Sequence, residues 1–316
     1  MIDKEKYIEL CKTEKSIPIF SKDWWMDAVC GEINWDVLLV ERNNEIVASM
    51  PYYMKKKLGF KYITQPTLTK TNGVWIKYPE KQKQRSKLSY EKELMTEIIE
   101  QLKTLKIDYY SQNFNYSITN WLPFYWKGFK QTTRYTYVIE NVIDLESVFG
   151  EFSKVVRKNI KKAEQSAKIY VSNDVEKFYS INKKTFERQG LKIPYTLELL
   201  KRIDEACDKN NARTIYFAED EDGNLHCGSY IVYDDMGVYQ LMSGTNPEFK
   251  KSEFKSLLIW EGLKYAHQTN RIFDFEGSMM EGVEEYFRKF GTIQKPFFSI
   301  SKINSRILKI RQNLKF

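Results

Sequence analysis

The stretch "RTIYFAEDEDGNLHCGSYIVY", residues 213 to 233, reads as a strand, an Asp-Gly turn and a second strand. The same plan occurs once earlier, in "WDVLLVERNNEIVASMPYYMK" (35 to 55), around an Asn-Asn turn. Runs of β-branched and aromatic residues on either side of such turns are hairpin signals. Each hairpin is followed further on by a helix and then a strand, "KELMTEIIEQLKTLKIDYYSQ" (92 to 112) in the first half and "FKSLLIWEGLKYAHQTNRIFDFEG" (254 to 277) in the second.

The parallel continues beyond those strands. "FYWKGFKQTTRYTYVI" (124 to 139) matches "YFRKFGTIQKPFFSI" (286 to 300): an aromatic pair, a cation, Phe and Gly, a spacer and a closing strand. Matching elements in one order imply duplication. The expected fold class is therefore α/β, built as two tandem modules of mixed sheet flanked by helices, residues 1–143 and 144–316, with a cleft between them. The second module begins with "LESVFGEFSKVVRKNIKKAEQSAKIYV" (145 to 171). There Phe152, Val156, Ile160, Ala163 and Ala167 share one helical face, while Lys154, Arg157, Lys158, Lys161 and Lys162 occupy much of the rest.

The 316 residues, 42% hydrophobic and 15% aromatic, are ample for packed cores and argue against disorder. The opening "MIDKEKYIEL" is charged, and no apolar run approaches the ~18 residues that span a bilayer, so a cytoplasmic location without membrane insertion is expected. Cys11, Cys30, Cys207 and Cys227 lack CxxC spacing and read as buried small hydrophobes rather than metal ligands. His226 and His267 read as surface or hairpin residues, so no metal is expected. A net charge of +8 points to an anionic partner, whether nucleotide, phosphate-bearing substrate or RNA. No GxGxxG or P-loop occurs, which removes the motif support for NAD or ATP chemistry.

Chemistry concentrates in "RIFDFEG" (271 to 277). As a strand it sends Phe273 and Phe275 to one face and Asp274 and Glu276 to the other, with Gly277 opening a turn at its C-terminal end. Strand C-termini in open α/β sheets border ligand clefts. Paired carboxylates there suit deprotonation or orientation of an amine, with Glu276 as base and Asp274 as support. In the first half, "KIDYYSQ" keeps Asp108 but has Tyr110 in place of Glu276.

The module order resembles the GNAT acyltransferase fold. Two such modules joined by "RKNIKKAEQSAKIYV" and closed by "FDFEGSMMEGVEEYFRKFG" resemble the FemAB-related family, whose members include peptidyltransferases using aminoacyl-tRNA and an acetyltransferase-like branch. The resemblance implies an N-acyltransferase that moves an acyl or aminoacyl group to an amine of a cell-envelope or sugar or peptide precursor, by direct attack. The co-substrate is acyl-CoA or aminoacyl-tRNA, with no tightly bound cofactor, a small-molecule or nucleotide-linked acceptor, and tRNA as a further partner. A non-catalytic binding module for phosphorylated glycan or RNA is the alternative on the same fold.

Site residues follow from the same resemblance. The peptidyltransferases place a Phe-Lys pair where this chain has Phe287-Arg288, which brings in Arg288 and its neighbour Lys289. Arginine keeps the charge but stays protonated, so it is no proton donor. Where GNAT enzymes hold the CoA pyrophosphate on a glycine-rich loop, this chain has "NPEFKKSEFKSLLIWEG" (246 to 262), without a glycine before the helix. Lys250, Lys251 and Lys255 supply charge there and Ser252 the expected N-cap. Tyr52, Arg157, Lys158, Arg188, Gln189, Tyr195 and Tyr239 are the expected substrate contacts, on segments whose counterparts border the cleft.

Overall fold

The computed structural model describes residues 3–249 and 253–313, with the side chains of 312 and 313 left aside. In chain order the first elements are α1 (Asp3–Thr13), α2 (Asp23–Cys30), β1 (Trp35–Arg42), β2 (Glu45–Lys57), β3 (Phe60–Thr64), β4 (Trp75–Ile76), α3 (Gln84–Thr104), β5 (Tyr109–Asn113), α4 (Leu122–Trp126) and β6 (Lys130–Ile139). There follow α5 (Leu145–Glu151), α6 (Lys154–Ala163), β7 (Lys168–Val171), α7 (Val175–Arg188), α8 (Leu197–Lys209), β8 (Arg213–Glu219), β9 (Leu225–Tyr233) and β10 (Gly237–Thr245). The last are α9 (Phe254–Gln268), β11 (Ile272–Asp274), α10 (Glu281–Arg288), β12 (Ile293–Ile303) and α11 (Arg306–Asn313).

Two compact units form, one from residues 1–134 with 296–316 and the other from 135–295. In the first, strands run in the order β1-β2-β3-β5-β12, with β4 also paired to β2. The β1–β2 hairpin turns at Asn43 and Asn44, both with positive φ (51° and 64°), the conformation that a two-residue turn matching strand twist requires. Helix α3 buries Leu94, Met95, Ile98, Ile99 and Leu102 along one stripe, against Leu38, Met50, Tyr110 and Ile300 of the sheet. It begins at Gln84, earlier than the spacing of apolar residues from 92 to 105 predicts, because its first turns are polar and exposed.

In the second unit the order is β6-β11-β10-β9-β8-β7. Helix α9 lies on this sheet with Leu257, Leu258, Leu263 and Ala266 buried, in one core with Phe273, Phe275, Phe287 and Phe290. Gly262 makes that approach possible, since a Cβ there would stand 2.9 Å from Cε2 of Phe273. The predicted basic helix is present as α6, capped by Ser153 Oγ accepting from the Val156 N–H at 3.3 Å; Phe152, Val156, Ile160 and Ala163 are buried. A separate α5, capped by Asp144, precedes it.

The strand pairings repeat. β5 pairs parallel with β3 and antiparallel with β12, and β11 pairs parallel with β10 and antiparallel with β6. The closing strand of each half thus serves the other half's inner strand: Ile300 faces Gln112, and Val138 faces Asp274. This exchange is why the compact units differ from the sequence halves 1–143 and 144–316. Asp108 and Asp274 do not correspond: Asp108 precedes β5 and its carboxylate accepts from the Lys61 N–H at 2.9 Å, whereas Asp274 is the last residue of β11.

Candidate active site

β11 ends at Asp274 rather than continuing through Glu276, because residues 276 and 277 both take left-handed backbone (φ 60° and 62°). Strand alternation therefore does not position Glu276; the turn does. Gly277 is compulsory, since a Cβ there would sit 2.1 Å from the Tyr135 carbonyl oxygen. Glu276, lacking that freedom, holds a conformation costing of order 1 kcal/mol. Asp274 Oδ1 accepts from the Glu276 N–H at 2.8 Å and from the Thr136 hydroxyl, which fixes the turn. Both carboxylates are buried, while Phe273 and Phe275 enter the core.

The parallel pairing of β10 with β11 covers Gly237 to Tyr239, yet β10 runs on to Thr245. From Gln240 onward β10 has lost this neighbour and is held from other sides. β9 pairs with it, and α7 packs so closely that a Cβ on Gly244 would be 2.6 Å from the Asn182 nitrogen. Asn182 Nδ2 donates to the Ser243 carbonyl at 2.7 Å, and the Thr245 N–H donates to Thr185 Oγ1 at 2.8 Å.

At this end of β10 lies a group of polar side chains. Lys255, in the first turn of α9, holds its Nζ 4.5 Å from the centre of the Tyr286 ring. The Ser256 and Tyr286 hydroxyls are 3.1 Å apart. Cys227, whose strand partner is Thr245, is buried, and burial pushes its thiol up to about 12. Burial, joined by the charge of Arg188, holds the Lys255 ammonium below its ordinary 10.5. Neither Lys255 nor Arg188 has a carboxylate partner among the described residues. The helix N-cap is Glu253, whose side chain makes no capping bond. Lys250, Lys251 and Ser252 lie outside the described residues.

The other predicted contacts are dispersed. Tyr52 is in the apolar core of the first unit. Tyr195 is buried with its hydroxyl donating to Asn182, and the Tyr239 hydroxyl donates to Asp234 at 3.1 Å; both help to fix their surroundings. Arg157 donates to the Gly150 carbonyl, and Lys158 and Gln189 are exposed. Arg288 is exposed and bridges Glu284 at 3.3 Å along α10, as Lys289 bridges Glu285 at 2.9 Å. The basic face of α6 is partly neutralised, Lys162 meeting Glu253 at 2.8 Å.

Sequence reading missed His226. Its ring stacks between Phe249 and Phe254, with centroids at 4.0 and 4.4 Å, and Nε2 lies 2.9 Å from Asp220, holding that carboxyl down at about 2. It lines a cavity of about 920 Å³ that Lys162, Asp220, Glu221, Asp222, Glu248 and Glu253 also border. A lone histidine in a hairpin gives no sequence signal for such stacking, because Phe249 and Phe254 lie far along the chain.

Residues 150–288 match the family described as Acetyltransferase (GNAT) domain. Among solved structures, FemX superposes with a TM-score of 0.72 at 14% identity, over 94% of this chain and 96% of that one. L-PGS from Bacillus licheniformis gives 0.58 at 11% identity, over 97% and 94%. A tandem GNAT protein from the clavulanic acid biosynthesis pathway gives 0.53 at 8%, over 86% and 83%. No curated protein matches by sequence. With the repeated pairing of β3, β5 and β12 by β10, β11 and β6, these matches show that residues 150–288 are similar to the GNAT acetyltransferase domain and that the chain shares the fold of FemX and of a tandem GNAT protein.

Proposed function

We propose that the chain is an N-acyltransferase whose reaction centre lies where β10 and β11 part, beyond Tyr239 and Asp274, with an activated acyl or aminoacyl donor laid along the edge of β10 that β11 leaves. The observation that carries this reading is the early end of β11 at Asp274 while β10 continues to Thr245 beside Lys255. Backbone N–H groups along such an edge hold the donor and meet the oxyanion as an amine attacks its carbonyl. Lys255 and Arg188 supply positive charge for the anionic part of the donor.

Glu276 is assigned the removal of the acceptor amine's proton, and Asp274, through its bond to the Glu276 N–H, the positioning of that turn. Attack is direct, since among the described residues no Ser or Cys of this region is backed by a histidine, and burial holds the Cys227 thiol protonated. The acceptor is an amine on a cell-envelope, sugar or peptide precursor. FemX and L-PGS share the fold and support an aminoacyl donor, while the tandem GNAT protein supports acyl-CoA.

The deciding experiment incubates the purified chain with acetyl-CoA or with a mixture of aminoacyl-tRNAs and a panel of amine acceptors, and follows transfer by mass spectrometry. Transfer from either donor that falls in Glu276→Gln establishes the class. Transfer unaffected by Glu276→Gln, or none from either donor, removes the reading.

A further inference from the structure

We propose that the first unit carries a second binding site, a pocket for a phosphoryl group lined by Lys130, Lys302 and Lys309. The pocket is a cavity of about 380 Å³ at the start of β5 and the end of β12, where Tyr109 faces Ile303 in the strand register. Its lining is Tyr109, Gly128, Lys130, Ser301, Lys302, Ile303 and Lys309, with no acidic residue.

Lys302 is the telling member. Along β12 it lies two residues beyond Ile300, which is fully buried, so strand alternation aims it at the face that forms the core. The Lys302 ammonium is partly withdrawn from water and has no carboxylate partner among the described residues, which carries a cost. It stands 4.8 Å over the Phe129 ring, donates to the Lys127 carbonyl at 2.6 Å, and keeps further ammonium protons for the cavity. Burial, with Lys103 and Lys309 close by, holds its pKa below 10.5.

The surrounding carboxylates do not relieve this. Glu100 is engaged by Lys103 at 2.8 Å and Lys127 at 3.1 Å, and Asp108 accepts from the Lys61 N–H. Lys130, Lys302 and Lys309 have no ion pair, and the Ser301 and Tyr109 hydroxyls no hydrogen bond, among the described residues. Like charges converging on a cavity edged with unspent donors match the multiple acceptor oxygens of a phosphate mono- or diester. Such a group comes either from a soluble phosphorylated compound or from a lipid headgroup.

The test titrates inorganic phosphate and pyrophosphate into the full chain by calorimetry and measures co-sedimentation with phosphatidylglycerol vesicles. Lys302→Met keeps the stem over Phe129, and Lys309→Ala changes only an exposed residue, so folding is preserved in at least one of them. Lys209→Ala, at an exposed lysine of the other unit, is the control. Saturable binding that falls about tenfold or more in both pocket variants and not in the control supports the site. Binding of the free anions identifies a soluble source, and binding of vesicles alone a headgroup. Absence of both, or equal binding by all variants, overturns the proposal.

Discussion

The ammonium of Lys255 rests 4.5 Å from the centre of the Tyr286 ring and faces no carboxylate among the described residues, so an aromatic face rather than an ion pair compensates this charge in the first turn of α9. Cation–π attraction is worth about 0.5–2 kcal/mol, less than full hydration supplies, and the pKa accordingly stays below 10.5. Because the unfolded chain then holds the proton more tightly than the folded one, this lysine lowers stability at neutral pH. The cost fades as pH rises through the folded-state pKa toward 10.5. Lys255→Met is expected to raise Tm, most clearly near pH 7 and less as pH approaches 10.5, while weakening donor binding at least tenfold. Calorimetric unfolding across that pH range, paired with donor titration, checks both halves.

Glu276→Gln keeps size and backbone but abolishes the base. Turnover is expected to drop by about 100-fold, within the usual range for general-base assistance, with little change in Tm. Steady-state rates and a melting curve on one preparation decide; a large fall in Tm with normal turnover assigns Glu276 to structure alone.

Gly277→Ala is expected to destabilise by more than about 2 kcal/mol, since the added methyl meets the Tyr135 carbonyl in a left-handed conformation. Urea denaturation measures it. Gly282→Ala, where a Cβ meets nothing within 4 Å, is the mild comparison.

Arg213 is bound by Asp204 through Nε at 2.8 Å and Nη2 at 3.2 Å, with the Tyr230 hydroxyl also on Asp204 at 2.8 Å. Both partners are largely buried. Arg213→Ala leaves a buried carboxylate without its cation and is expected to cost about 3–5 kcal/mol. Denaturant unfolding checks this, and a loss below about 1 kcal/mol shows that the pair is dispensable.

The hairpins, the main helices and the duplication were legible because they rest on local patterns: turn residues at 43–44 and 222–223, apolar stripes on α3 and α6, and repeated order. The turn at 276–277 was half legible. Gly277 marked it, but the left-handed Glu276 overrode strand alternation, and only the backbone shows that. Arg288 was brought in by the resemblance of Phe287-Arg288 to a Phe-Lys pair; its exposed side chain and its bridge to Glu284 depend on the turn of α10, which the pair alone does not show. His226, Tyr286 and Ser256 were not legible, because their partners are brought together by packing over long stretches of chain.

The exchange of closing strands bears on how this gene can be cut. A break after residue 143 leaves β6 on the fragment that does not contain β11, and β12 on the fragment that does not contain β5. Each fragment alone has a bare inner strand edge, which invites aggregation. Expressed together, the fragments carry each other's missing strand, so the chain is suited to split-protein complementation and unsuited to dissection into separately purified halves.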